Sequence, residues 1–268
     1  SRSTSKVFAS TLTQTEIFGI VGAASAAITA AEYDNSKDLI AIMPVIVAGT
    51  FAQLSATFAT PVGSSPAETK IFQDGTISVM NVISNSLVKS IDGKGDNLLT
   101  TSADGTSTAT ETVLSKITSA SISNLDEAGL SSADIGTASS ELVGTIVGSL
   151  GSGGLTSTEL GGALDKITAG AVGSLDQIAG FSVSSLGDAI DNITSGATAA
   201  LGDIDVTGFS SDDLNTMVGK VTSGATGALG DITMTGYSSD NLSSMVEKVT
   251  SGATGALGSI VMDGYTSS

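Results

Sequence analysis

The 268-residue chain contains no cysteine and no histidine. Without these residues it cannot form a thiolate or imidazole metal site, a Ser-His-Asp triad or a Cys-His nucleophile. It also lacks tryptophan, and its 4% of aromatic residues argues against a surface on which sugars stack. Only 10 basic residues face 27 acidic ones, so the net charge is −17. We expect no nucleic-acid partner, because no basic surface is available to displace counterions from phosphates.

What the chain does contain is apolar residues, glycine, serine and threonine. Hydrophobic residues make up 40% of the sequence and charged residues 14%, which is too hydrophobic for a disordered chain. The charge is uneven, because residues 1–116 carry a net −3 and residues 117–268 a net −14. An acidic, cysteine-free chain rich in Ser, Thr and Gly favours an extracellular, cell-surface or outer-envelope location on a bacterium.

The second half of the chain is a repeat. The segment 221–232 recurs with one substitution as 249–260, and a variant occupies 193–204. Counted from Leu214, apolar residues stand at offsets 0, 4, 7, 11, 15 and 18, and the same offsets hold in the neighbouring copies. Eighteen residues in five turns is the α-helical period. The pattern therefore predicts successive amphipathic helices of 25–28 residues per repeat, with origins near 110, 135, 160, 186, 214 and 242.

Start signals support these helices. Thr156 with Glu159, and Ser210 with Asp213, have the spacing of a capping box just before the apolar stripe begins. Residues 265–268 repeat the aromatic–hydroxyl start of a seventh, truncated unit. The linkers of about five residues reach at most ~18 Å, which is less than the length of a helix. We therefore predict an all-α, up-down solenoid or bundle, and favour the solenoid.

A leucine-rich-repeat-like α/β solenoid is the alternative fold. It would make residues 201–209 a short strand within a 28-residue repeat. The corresponding stretch at 175–181 is two residues shorter, which a loop tolerates more easily than a strand.

Small residues predict where helices touch. Gly224, Gly227, Gly252 and Gly255 would allow close approach of neighbouring backbones, and we treat them as candidate assembly or packing residues. Alternatively, the helix ends near Gly230 and the other glycines are merely tolerated.

The first half divides into a polar arm at 1–12, an apolar helical hairpin plus a third helix at 13–91, and a Gly/Ser/Thr/Asp linker at 92–107. The third helix is expected over 76–91. Ile17, Phe18, Leu39 and Ile40 are candidate assembly residues of the hairpin. Segment 17–59 is nearly uncharged, so it forms either a buried hairpin or a membrane contact.

Signals for chemistry are sparse. Asp92, Asp96 and Asn97 are a calcium candidate through their oxygen ligands, although Lys94 interrupts the EF-hand pattern. No other metal, cofactor or catalytic set is predicted, and we expect a protein that is not an enzyme.

The function that this pattern favours is a structural or assembly protein of a bacterial surface or envelope. Its repeats would form an elongated scaffold, and the hairpin would provide anchoring or homo-oligomerisation, including filaments. One alternative is a membrane-inserting pore-forming or channel-lining protein. Another is a repeat module that binds peptides or carbohydrates.

Overall fold

The computed structural model describes residues 43–49, 66–92, 108–126, 129–152, 155–204, 208–233 and 237–260. These residues are predominantly helical and contain no β-strand, which confirms the all-α prediction for this part of the chain. A short helical stretch occupies 43–49. The longer helices are α1 (Pro66–Asp92), α2 (Thr108–Ser123), α3 (Ser132–Ser149), α4 (Ser157–Ser174), α5 (Val183–Ala199), α6 (Ser211–Leu229) and α7 (Ser239–Leu257).

The helices of the second half begin at side-chain caps. The Thr156 hydroxyl accepts a hydrogen bond from the Glu159 amide (3.3 Å), and the Thr156 amide donates to the Glu159 carboxylate (2.9 Å). Such reciprocal bonds satisfy two backbone amides that the first turn leaves unpaired. The predicted boxes at Thr156 and Ser210 are both present. Two further boxes use Ser185 and Asn241 in place of an acid.

Short 3₁₀ turns end α3, α4 and α5, at Leu150–Ser152, Leu175–Gln177 and Ala200–Gly202. Each turn directs a leucine into the core, since Leu150, Leu175 and Leu201 are buried. Glycines at positive φ then redirect the chain, at Gly180 (φ 88°) and Gly208 (φ 91°). A side chain is strained in that backbone region, which explains why these linkers carry glycine.

Each helix packs most closely against the helix two further along the chain. The close pairs are α1–α3, α2–α4, α3–α5, α4–α6 and α5–α7, whereas consecutive helices touch less. Odd-numbered helices therefore form one layer and even-numbered helices the other, with one continuous apolar core between the layers. Within a layer the helices run parallel, because start lies beside start and end beside end. The described helices therefore stack on their second neighbours along the chain.

The first half of the described chain differs in part from the sequence prediction. Helix α1 begins at Pro66 rather than near 76. Proline is favoured in the first helical turn, where its missing amide is not needed, and the exposed ion pair of Lys70 with Asp74 (3.0 Å) lies in the added turns. In the stretch 43–49, Met43 and Val47 are buried in the core. The candidate residues Ile17, Phe18, Leu39 and Ile40 lie outside the described residues.

The leucine-rich alternative placed a strand within 201–209. The described parts of this stretch form a 3₁₀ turn and bends, with no strand. Within the described ranges, no helix combines the length and hydropathy needed to cross a membrane.

Candidate assembly interface

The helices of one layer approach closely at a glycine. Gly224 of α6 lies against the backbone carbonyl of Asp165 and the side chain of Thr168, both on α4. A Cβ atom at position 224 would stand 2.8 Å from the Asp165 carbonyl carbon and 2.5 Å from the Thr168 hydroxyl. Real Cβ contacts are not that short, so only glycine allows this separation of α4 and α6.

The same contact occurs in three more of the five pairs of stacked helices, and only α1–α3 does not have it. The glycine always stands ten residues after the origin of its repeat, and the carbonyl it meets stands five residues after the origin of the helix two earlier. The pairs are Gly170 with Ser115, Gly196 with Ser140, Gly224 with Asp165, and Gly252 with Asp191. Gly224 and Gly252 were predicted from the sequence as packing residues, but Gly170 and Gly196 were not. The signal that could have identified them is a glycine ten residues after the origin in four successive repeats.

The other two candidate glycines have different surroundings. A Cβ atom at Gly227 or Gly255 would have no neighbouring atom within 4 Å. Gly227 lies inside α6, which continues to Leu229, and Gly255 lies inside α7, which continues to Leu257. The structure thus separates each pair of candidate glycines into one that lies against the next helix and one that faces open space.

A threonine eight residues after the origin lines the same contact. Thr118, Thr168 and Thr194 are fully buried. Each hydroxyl donates to the carbonyl four residues earlier, at 2.8, 2.7 and 3.0 Å respectively. The hydroxyl is satisfied within its own helix, so the neighbouring helix can cover it at little cost.

Polar contacts between stacked helices also fix their ends. Asp176, after α4, accepts hydrogen bonds from the amide and the hydroxyl of Thr233, after α6, both at 2.9 Å. At the opposite end of these helices, hydrogen bonds lower the pKa of Asp213 below its usual value. The largest contribution comes from the Ser157 hydroxyl of α4, and smaller ones come from the amide and the hydroxyl of Ser210. These hydrogen bonds favour the ionised carboxylate.

Lysines six residues after the origin lie beside the stacked neighbour. Lys248 of α7 donates to Asp188 of α5 at 2.8 Å, and this bond together with the charge of Asp188 raises the pKa of Lys248. The Lys220 stem passes close to Gly161, while Lys166 pairs with its neighbour Asp165 at 3.1 Å. Lys220 and Lys248 therefore pack their stems along the stacked helix, at Gly161 and Gly187, and keep their charges near solvent.

The calcium candidate falls mainly outside the described residues. Asp92 is the last residue of α1, and Asp96 and Asn97 are not described. Within the described ranges, no group of three or more acidic residues is arranged to hold a metal ion.

An open groove of about 420 Å³ lies between α1, the end of α3 and the turn after α5. Its polar lining includes Asn85, Lys89, Thr145 and Asp203. The Thr145 hydroxyl already donates to the Glu141 carbonyl (2.9 Å). The groove lining thus combines an amide, hydroxyl groups and two side chains of opposite charge.

No protein-family model matches this chain, and no curated protein matches it. Among solved structures, a chain from "Computational Design of Self-Assembling Cyclic Protein Homooligomers" is similar over 94% of this chain and 98% of its own length. The identity is 15% and the TM-score 0.38. Similarity of this degree supports no functional assignment.

Proposed function

We propose that this protein is a non-enzymatic scaffold of a bacterial surface or envelope, built from stacked helices and able to associate with copies of itself. The helical repeats form the body of the scaffold. The N-terminal hairpin within 13–91 provides anchoring or contacts between copies.

The repeated glycine–carbonyl contact is the observation that carries this proposal. The same close approach joins α2 to α4, α3 to α5, α4 to α6 and α5 to α7. In a repeat array each unit contacts only its neighbours, so stability and length grow by adding equivalent interfaces. Such an arrangement suits a structural role, because the conserved geometry within the chain lies in its stacking rather than around a pocket.

Dimensions argue that association is part of the role. Four helices in one layer, at about 10 Å spacing, extend roughly 40 Å, and the helices themselves are about 24 to 40 Å long. The described part is therefore not a long rod by itself. An elongated scaffold requires these stacks to join one another.

The net charge of −17 suits an exposed location, because it keeps the exterior solvated while the apolar residues form the core. Membrane contact through 17–59 stays a separate prediction. It is tested by purification without detergent, since recovery of the protein from the aqueous phase would argue against membrane insertion.

Size-exclusion chromatography with light scattering, followed by negative-stain imaging, tests the proposal. We expect masses that are multiples of 26.3 kDa and increase with protein concentration. If the 268-residue chain were a compact monomer at every concentration, this result would contradict the scaffold role.

A further inference from the structure

Helix α3 departs from the glycine contact of the later repeats at one position. In four pairs of stacked helices, a glycine ten residues after the repeat origin lies against a carbonyl of the helix two earlier. The equivalent residue of α3 is Thr145. A Cβ atom at Gly196 would stand 2.5 Å from the Ser140 carbonyl oxygen, so a threonine cannot make this contact. Helix α1 therefore packs on α3 without the close approach that joins the other pairs.

The open groove between α1, the end of α3 and the turn after α5 lies at this position. Its volume is about 420 Å³, and Thr145 is one of its lining residues. Gly148 also lines it and leaves the space unfilled, because a Cβ atom there would have no neighbouring atom within 4 Å. Pockets that bind small ligands measure about 300–1,000 Å³, so the groove has the size of a site for a short ligand.

Asn85 of α1 brings an unpaired hydrogen-bonding group to the groove. Its side-chain oxygen is buried and has no hydrogen-bond partner within the described residues. The side-chain oxygen of Asn81, one turn earlier on the same side of α1, is likewise buried without a partner there. Buried polar atoms of folded proteins are nearly always hydrogen-bonded. An unpaired oxygen in the wall of a groove therefore points to a ligand that supplies the missing donor.

The other polar groups of the lining define what such a ligand must offer. Thr145 and Ser149 already donate to carbonyls of their own helix, at 2.9 and 2.7 Å, so their oxygens are left as acceptors. Lys89 and Asp203 are exposed and form no ion pair among the described residues, so both charges are available to a ligand. A complementary ligand carries several N–H or O–H donors, one positive group and one negative group.

We propose that this groove binds a short peptide of two or three residues with free ends. The ammonium group of the peptide pairs with Asp203, and its carboxylate pairs with Lys89. A peptide group between them pairs with the amide of Asn85, which presents a donor beside an acceptor. This inference goes beyond the scaffold role and does not depend on self-association.

Other ligand classes match the groove less well. Its described lining contains no aromatic side chain on which a sugar could stack. A polyanion would meet one cation and one carboxylate, so the attraction of Lys89 is opposed by the repulsion of Asp203. A calcium ion takes six to eight oxygen ligands, and Asp203 supplies the one carboxylate of the described lining. A short peptide alone combines both charges with amide groups.

Saturation-transfer difference NMR with trialanine tests the proposal on the full chain, whether or not the protein associates. We expect trialanine to bind, and Asn85→Ala and Lys89→Gln each to weaken its Kd at least tenfold. Asn215→Ala, at an exposed position of α6, and Lys70→Gln, at an exposed position of α1, are the matched controls and should leave the Kd unchanged. Far-UV circular dichroism checks that each variant keeps its helicity.

Two further probes test the class of ligand. Acetyl-trialanine amide keeps the peptide groups but lacks charged ends, so it should bind at least tenfold more weakly than trialanine. Maltotriose should not bind. If trialanine at millimolar concentration does not bind, or binds equally well to Asn85→Ala and Lys89→Gln, the groove is not a peptide site. Maltotriose binding that these two variants weaken would overturn the assignment to peptides. Light scattering tests the scaffold role separately, so the two proposals can fail independently.

Discussion

Replacing Gly224 and Gly227 separately by alanine should have opposite effects on stability, although the two glycines lie three residues apart in α6. The Gly224 position meets the Asp165 carbonyl of the stacked helix, whereas a Cβ atom at Gly227 would have no atom within 4 Å. Any alanine in a helix interior gains about 1 kcal/mol over glycine from backbone entropy. Only at 224 does a steric term oppose this gain.

The magnitude follows from the distances. A Cβ atom at 224 would stand 2.5 Å from the Thr168 hydroxyl and closer still to the Asp165 carbonyl oxygen. The helices would have to separate by about 1 Å, which forfeits a quarter to a half of the dispersion energy of the atoms lining the gap. Overpacking of this kind costs about 3 kcal/mol at its upper end. After the gain of about 1 kcal/mol in helix propensity, Gly224→Ala should be destabilised by about 2 kcal/mol, and Gly227→Ala stabilised by up to about 1 kcal/mol.

Thermal unfolding followed by circular dichroism at 222 nm measures the difference. For a protein of this size, 1 kcal/mol shifts Tm by roughly 2–4 °C, so the two variants should differ by about 10 °C. Repeat arrays can unfold in more than one step, so the midpoint of the same transition must be compared. The pair Gly252→Ala and Gly255→Ala in α7 repeats the experiment. If Gly224→Ala were as stable as Gly227→Ala, the close-approach argument would be refuted.

Three further predictions concern caps and charges. Thr156→Ala should lower the free energy of unfolding by about 1 kcal/mol in a denaturant titration, because the first turn of α4 loses its capping bond; an unchanged midpoint would mean that the cap is not used in solution. A double-mutant cycle of Lys248→Ala and Asp188→Ala should give a coupling free energy of less than about 1 kcal/mol, because both side chains are exposed to solvent. The coupling should decrease in high salt, and a larger coupling that salt does not change would contradict this prediction. The pKa of Asp213 is lower in the folded protein than in the unfolded chain, so the ionised carboxylate stabilises the fold at pH values above its usual pKa. This contribution is lost as the pH falls through the lowered pKa of the folded state. Unfolding between pH 5 and pH 2 should therefore depend less on pH in Asp213→Asn than in the wild type, and equal dependence would be the contrary result.

The helices of the second half could be predicted from the sequence because their signals are local. Leu214 and Val221 recur at helical spacing, and Ser210 with Asp213 forms the predicted capping box. Two capping boxes were not predicted from the sequence, although their cap residues, Ser182 and Ser238, have the expected positions. Ser185 and Asn241 complete capping boxes without a carboxylate, since any oxygen that accepts from the backbone amide serves the same purpose. The start of α1 was predicted ten residues too late, because a proline occurs both after helices and in their first turn, and only the structure shows Pro66 in the first turn.

Which helices touch was decided by the tertiary structure. The sequence alone determined the period, the helix starts, the short linkers and the apolar stripe, because each of these depends on residues within a few turns of one another. The stacking of every second helix depends on contacts between residues more than 50 positions apart, such as Gly224 with Asp165. In the sequence Gly224 and Gly227 are alike, and only the approach of α4 makes the first a contact and leaves the second in open space. The exposure of a side chain is also a tertiary property: Leu242 and Leu214 have the same place in the repeat, yet Leu214 is buried and Leu242 is exposed.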